Sequence, residues 1–151
     1  MNNIKILARI KPNLNNHNDN CISIEKNNVI IKKIKKNYIN DYFVNYKYKF
    51  DNVYDDYTTN LDIYNNISIE IINNLIKKNN NVTFYVYGQT GSGKTHTILG
   101  NNNEKGLLEL ILNDLNELKL KIKISAIEIY NNKCLDLLNN NNLIYQREDY
   151  L

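Results

Sequence analysis

The chain has 151 residues, 42% of them hydrophobic and 23% charged, a composition that suits one globular domain with a real core. Its net charge of +3 is too small to argue for nucleic acid, and no apolar run is long enough to span a bilayer, so neither partner is expected. Asn fills about a fifth of the chain, in runs such as Asn79–Asn81, Asn101–Asn103 and Asn139–Asn142, which read as surface-loop filler because Asn suits turns.

The N-terminal stretch MNNIKILARIKP has no small-residue cleavage site and is not expected to be a signal peptide. Within it, IKILARI (Ile4–Ile10) reads as a short strand closed by Pro12. NLNNHNDN, residues 13–20, reads as a polar loop. CISIE and VIIKKI, within Cys21–Ile34, predict a small N-terminal hairpin turning at Asn27–Asn28. Lys32, Lys33, Lys35 and Lys36 read as a solvated, lysine-blunted edge. Cys21 and Cys134 form no CxxC pair and suit a reducing compartment without bonding.

YKYKFDNVY (Tyr46–Tyr54) alternates aromatic with charged residues and predicts a strand with one buried face. Thr59-Asn60-Leu61-Asp62 resembles a capping box with Asp in place of Glu. The stripe Leu61, Tyr64, Ile67, Ile71 and Leu75 then predicts an amphipathic helix ending at Lys77–Asn81. VTFYVY (Val82–Tyr87) reads as a strand buried on both faces, with Tyr87 in the core. Helices are predicted over Thr95–Leu99 and Gly106–Leu118, with an Asn-rich break between them. Lys121–Tyr130 returns to strand. This alternation predicts an α/β domain with a mainly parallel central sheet flanked by helices.

Gly88-Gln89-Thr90-Gly91-Ser92-Gly93-Lys94-Thr95 matches G-x-x-x-x-G-K-[ST] at every fixed position. A strand signal precedes it and a helix signal follows, as a phosphate-binding loop requires. Its glycines let the backbone N–H groups turn inward toward phosphate oxygens. Lys94 brings a full charge to the β- and γ-phosphates, and the Thr95 hydroxyl suits Mg²⁺. The motif implies a nucleoside triphosphate and magnesium, and leaves open which of the many P-loop families this is.

The surrounding residues resemble the kinesin motor domain along the whole chain. IKILARIKP is similar to that family's opening strand, which ends in R-x-R-P. YKFDNVYDDYTTNLDIY resembles its F-x-F-D-x-V-F segment and T-Q-x-D-[IV]-Y helix start. FYVYGQTGSGKTHTILG is similar to F-A-Y-G-Q-T-G-S-G-K-T-H-T-M-x-G. SAIEIYNNKCLDLL and LIYQRED resemble the S-x-x-E-I-Y-N-E-x-x-x-D-L-L and L-x-x-R-E-D blocks that follow. The resemblance implies ATP as nucleotide, microtubules as partner, and the cytoplasm and cytoskeleton as location. It implies that Arg9, Lys11, Pro12 and His96 border the adenine, with Lys11 at the position of the family's second Arg. Leu107-Leu108-Glu109 departs from the family's I-I-P, and Asn132 replaces a Glu.

The family's switch motifs, N-x-x-S-S-R-S-H and D-L-A-G-S-E, do not occur in the 151 residues. Residues 1–151 therefore read as the N-terminal portion of a motor domain, truncated before the switches. No catalytic residue is assigned, and efficient hydrolysis by the isolated chain is not expected. The alternatives are another P-loop NTPase or a nonmotor nucleotide-binding remnant. A GTPase should carry N-K-x-D, which is absent, and a nucleoside kinase an Arg-rich lid, whereas the only arginines are Arg9 and Arg147.

Overall fold

A computed structural model describes residues 4–12, 21–36 and 40–144. The polar loop expected over 13–20 and residues 145–149 of the LIYQRED block, with Arg147, lie outside them. The chain divides into two compact units, Met1–Ile111 and Leu112–Leu151.

In the first unit β1 (Leu7–Arg9) pairs in parallel with β5 (Asn52–Tyr54), Arg9 beside Tyr54. Asp51 fastens the pair at one end, its carboxylate accepting from the Ile6 N–H at 2.7 Å and its own N–H donating to the Ile6 carbonyl at 2.8 Å. The expected hairpin forms as β2 (Ile22–Glu25) and β3 (Asn28–Lys35), turning at Lys26 and Asn27. A third strand, β4 (Tyr42–Lys49), pairs antiparallel along all of β3. β3 is the middle strand of its sheet, but β2 reaches only as far as Ile31, so the lysines beyond it have β4 alone as ladder partner and lie on the solvated edge expected. They remain exposed, with the Lys32 ammonium 4.0 Å from the Phe43 ring centre and that of Lys33 5.5 Å from Tyr46.

Helix α1 (Asn60–Ile72) starts at the predicted capping box. Thr59 Oγ1 accepts from the Asp62 N–H at 3.1 Å, and the Asp62 carboxylate accepts from the Thr59 N–H at 3.0 Å. The Thr59 hydroxyl also donates to that carboxylate, and together these bonds hold Asp62 below the ordinary carboxylate range. Of the apolar stripe, Tyr64 and Ile71 are buried, whereas Leu61 is exposed. The helix passes into a π-helical turn (Asn73–Lys77) and stops there, Asn79 adopting a left-handed φ of 49°. The core of this unit is Tyr54, Ile63, Tyr64 and Leu107, with Ile67, Leu110 and Ile111 packed against it.

Val82–Tyr87 departs from expectation. It forms no strand, and Tyr85 and Tyr87 are each 85% exposed, their rings stacked on one another with centroids 6.5 Å apart. A doubly buried strand needs a ladder partner and covering elements on both faces, and the described residues supply neither. Tyr87 is thus a surface residue, not a core one. Helix α2 (Lys94–Leu99) follows the glycine loop. The short hairpin β6 (Gly100–Asn101) and β7 (Glu104–Lys105) occupies the Asn-rich break. Helix α3 (Leu107–Glu117) then begins without the family's proline, and Lys105 pairs with Glu109 at 2.8 Å across its first turn.

In the second unit the strand predicted over 121–130 is confined to β8 (Ile127–Tyr130), and Ile122 and Ile124 before it are exposed. β8 pairs antiparallel with β9 (Lys133–Asp136), which pairs with β10 (Asn142–Leu143). Asn131 and Asn132 join β8 to β9 with φ of 48° and 59°, the left-handed pair that a two-residue hairpin turn requires. Of the seven non-glycine residues with positive φ among those described, five are Asn. Cys21 and Cys134 are both free thiols. Of the mainly parallel sheet expected, the described residues contain one parallel pair, β1–β5; the remaining ladders are antiparallel. No helix among the described residues is long and apolar enough to cross a membrane.

Candidate functional site: the glycine loop and its surroundings

The loop Gly88–Gly93 closes on its own lysine. Lys94 leads α2, and its ammonium donates back to the carbonyls of Gly88 at 2.8 Å and Gln89 at 2.9 Å. A turn within the loop is held by the Ser92 N–H on the Gln89 carbonyl at 3.1 Å. Gly93 caps α2 with φ 97°, a conformation costly for any residue with a Cβ, and its carbonyl accepts from both the N–H and the hydroxyl of Thr97. Thr95 is exposed on the first turn of α2.

The strand end bearing Arg9 and Lys11 reaches the same place. Lys11 donates to the Gly91 carbonyl at 2.8 Å. Arg9 is half-buried and uses its guanidinium inward: to Thr97 Oγ1 at 2.9 Å, to the Thr58 carbonyl at 3.2 Å, and to the side-chain oxygen of Asn60. Pro12 is exposed beyond them. The His96 imidazole pairs through Nε2 with the Glu104 carboxylate at 3.1 Å. Thus β1 brings Arg9 to α2, where His96 lies, and brings Lys11 to the loop itself.

Two residues that sequence reasoning did not single out organise this region. Asn60, at 0% exposure, accepts from Arg9 and donates through its amide to the carbonyls of His96 at 2.9 Å and Lys105 at 3.0 Å. Its backbone N–H donates to Glu104, whose other carboxylate oxygen meets His96. One amide side chain therefore ties α1, β1, α2 and β7 together. In the sequence Asn60 follows a helix cap, where a polar residue ordinarily faces water, and Glu104 stands at the end of an Asn run. Neither position carries a local signal.

This geometry suits an anion. Two ammonium groups, Lys11 and Lys94, rest on carbonyls of one short loop, and such a cation pairs more strongly with an anionic oxygen than with a carbonyl.

Comparison with known proteins identifies the lineage. Residues 9–150 match the family model for the kinesin motor domain. Kinesin-like protein KAR3 of Saccharomyces cerevisiae is 32% identical over 93% of this chain, and kinesin-like protein KIF18A of Mus musculus is 34% identical over 68%. The chain spans 21% and 12% of the length of those relatives. Among solved structures, the motor domain of the Kar3-like kinesin from Ashbya gossypii superposes with a TM-score of 0.67 at 31% identity, over 90% of this chain and 46% of that one. A family match over nearly every residue and the fold of a solved motor domain agree: this chain belongs to the kinesin motor domain family.

Proposed function

We propose that residues 1–151 are the N-terminal portion of a kinesin-like microtubule motor, preceding its switch motifs and carrying its ATP- and Mg²⁺-binding loop. The observation that carries this reading is the closure of Gly88–Gly93 on Lys94 within a family that binds nucleotide with magnesium. Gly88, Gln89, Thr90, Gly91, Ser92 and Gly93 would cradle the phosphates with their backbone N–H groups. Lys94 would move its ammonium from the loop carbonyls to the β- and γ-phosphates, and Thr95 would ligate Mg²⁺. When bound, the ion neutralises charge between those phosphates. Arg9, Lys11, Pro12 and His96 would bound the base side, with Glu104 orienting the imidazole.

In the whole motor, Val82–Tyr87 would join a parallel central sheet that includes β1 and β5, which accounts for its apolar sequence. Phosphoryl transfer depends on groups that position water and stabilise the γ-phosphate, and the motifs supplying them do not occur in these residues. The chain by itself would bind nucleotide and hydrolyse it slowly, with microtubules as the partner of the whole motor in the cytoplasmic cytoskeleton.

Isothermal calorimetry with Mg-ATP tests the site. Lys94→Ala removes a charge-assisted bond worth about 1.5–3 kcal/mol, so affinity should fall by about tenfold or more. Equal affinity in the variant and the parent chain rejects the assignment.

A further inference from the structure

We infer that Lys11 is a second polyphosphate cation of the loop, so that its charge serves the phosphates and not the adenine. The inference rests on the nucleotide-site reading above and changes the role of one residue within it.

Three observations carry it. The Lys11 ammonium lies 2.8 Å from the carbonyl of Gly91, inside the loop, as the Lys94 ammonium lies on those of Gly88 and Gln89. The two cations therefore rest on carbonyls of the same loop, Lys94 at its start and Lys11 at its middle. Next, the position carries Lys where the resembled pattern has Arg. A guanidinium is flat and stacks on rings, whereas an ammonium is a compact point charge on a flexible stem, suited to phosphate oxygens. Finally, the other cation of this strand is already committed: Arg9 is half-buried on Asn60, Thr97 and the Thr58 carbonyl. Lys11 is exposed, and the space a Cβ on Gly91 would enter is open, with no atom within 4 Å. The Lys11 ammonium can leave the Gly91 carbonyl for an entering phosphate at the cost of one solvent-exposed bond.

The test is calorimetry on the full 151-residue chain with ATP, GTP and inorganic tripolyphosphate, for the parent, Lys11→Met and Lys11→Arg. Lys11→Met should weaken all three ligands by the same factor, about three- to fivefold for an exposed charge, and lessen the salt dependence of tripolyphosphate binding. Lys11→Arg, which keeps the charge, should hold tripolyphosphate affinity within about twofold of the parent. Unchanged tripolyphosphate affinity in Lys11→Met, with ATP alone weakened, returns Lys11 to the base and overturns the inference. Unchanged affinity for every ligand overturns it too. A parent chain that binds neither ATP nor tripolyphosphate refutes the nucleotide site itself, and is thereby distinguished from failure of the Lys11 assignment.

Discussion

Two stretches of the first unit carry similarly strong apolar signals and end differently. Tyr54, Ile63 and Tyr64 form a buried cluster with Leu107, whereas Val82–Tyr87, the more apolar run, pairs with nothing among the described residues and shows its tyrosines to water. The first group lies on a helix and on a strand already paired to β1. A helix completes its backbone bonds within itself and needs one covered stripe. A central strand needs partners on both edges and cover on both faces. Hydrophobicity marks a segment for burial, and only neighbours accomplish it.

The widest separation of the two stretches should come from truncation. Ile63→Ala, in a side chain only 4% exposed, should cost about 2–5 kcal/mol, while Tyr85→Ala, at 85% exposed, should change stability by less than about 0.5 kcal/mol. Urea unfolding monitored by circular dichroism measures both. Equal losses would show that Val82–Tyr87 is buried in solution and would erase the contrast.

A smaller loss should follow Asn60→Ala, which takes one acceptor from the Arg9 guanidinium and leaves the partly buried carbonyls of His96 and Lys105 without their amide donor. We expect about 1–3 kcal/mol, with hydrogen-exchange protection lost together at α1, α2 and β7. Protection lost in α1 alone would mean that the amide does not couple these elements.

An effect of opposite sign concerns Tyr54. Its hydroxyl is buried with no hydrogen-bond partner among the described residues, at the position where the family pattern F-x-F-D-x-V-F has Phe. Tyr54→Phe should stabilise the chain by about 1 kcal/mol, since it removes an unsatisfied polar group and keeps the ring. A destabilised variant in the same urea titration would reveal a partner for that hydroxyl.

What could be read from the sequence divides along the same line. The capping box at Thr59 and Asp62, the hairpin of β2 and β3, and the glycine loop leading into α2 depend on residues close in the chain and all form, the hairpin turning one residue earlier than predicted, at Lys26 and Asn27. The solvated Lys-rich end of β3 was legible, but its pairing was not, because YFVNYKYK does not state which strand it will join, and it joins β3. The strands expected at 82–87 and 121–126 failed for want of neighbours, a property no local pattern encodes. Asn60 was invisible for a related reason: its side-chain partners stand 36, 45 and 51 residues away. In the site, Lys94 was legible from its motif, whereas the Lys11 contact with Gly91 spans 80 residues and had to be seen.

The β6–β7 hairpin has a consequence for how this chain can change length. Its base is closely packed: a side chain on Gly100 would strike the Glu104 carbonyl at 2.2 Å, and Glu104 is tied to both Asn60 and His96. Its tip, Asn102 and Asn103, lies beyond the last ladder pair, Asn101 with Glu104, and is braced by the Asn101 side chain, which accepts from the N–H groups of Asn103 and Glu104. Extra residues between Asn101 and Glu104 would project into solvent and lengthen a loop, at an entropic cost that grows only as the logarithm of its size. A gain or loss of asparagine codons at this point therefore changes the length of one exposed loop tip, while the contacts of Glu104 with Asn60 and His96 at the hairpin's base are untouched.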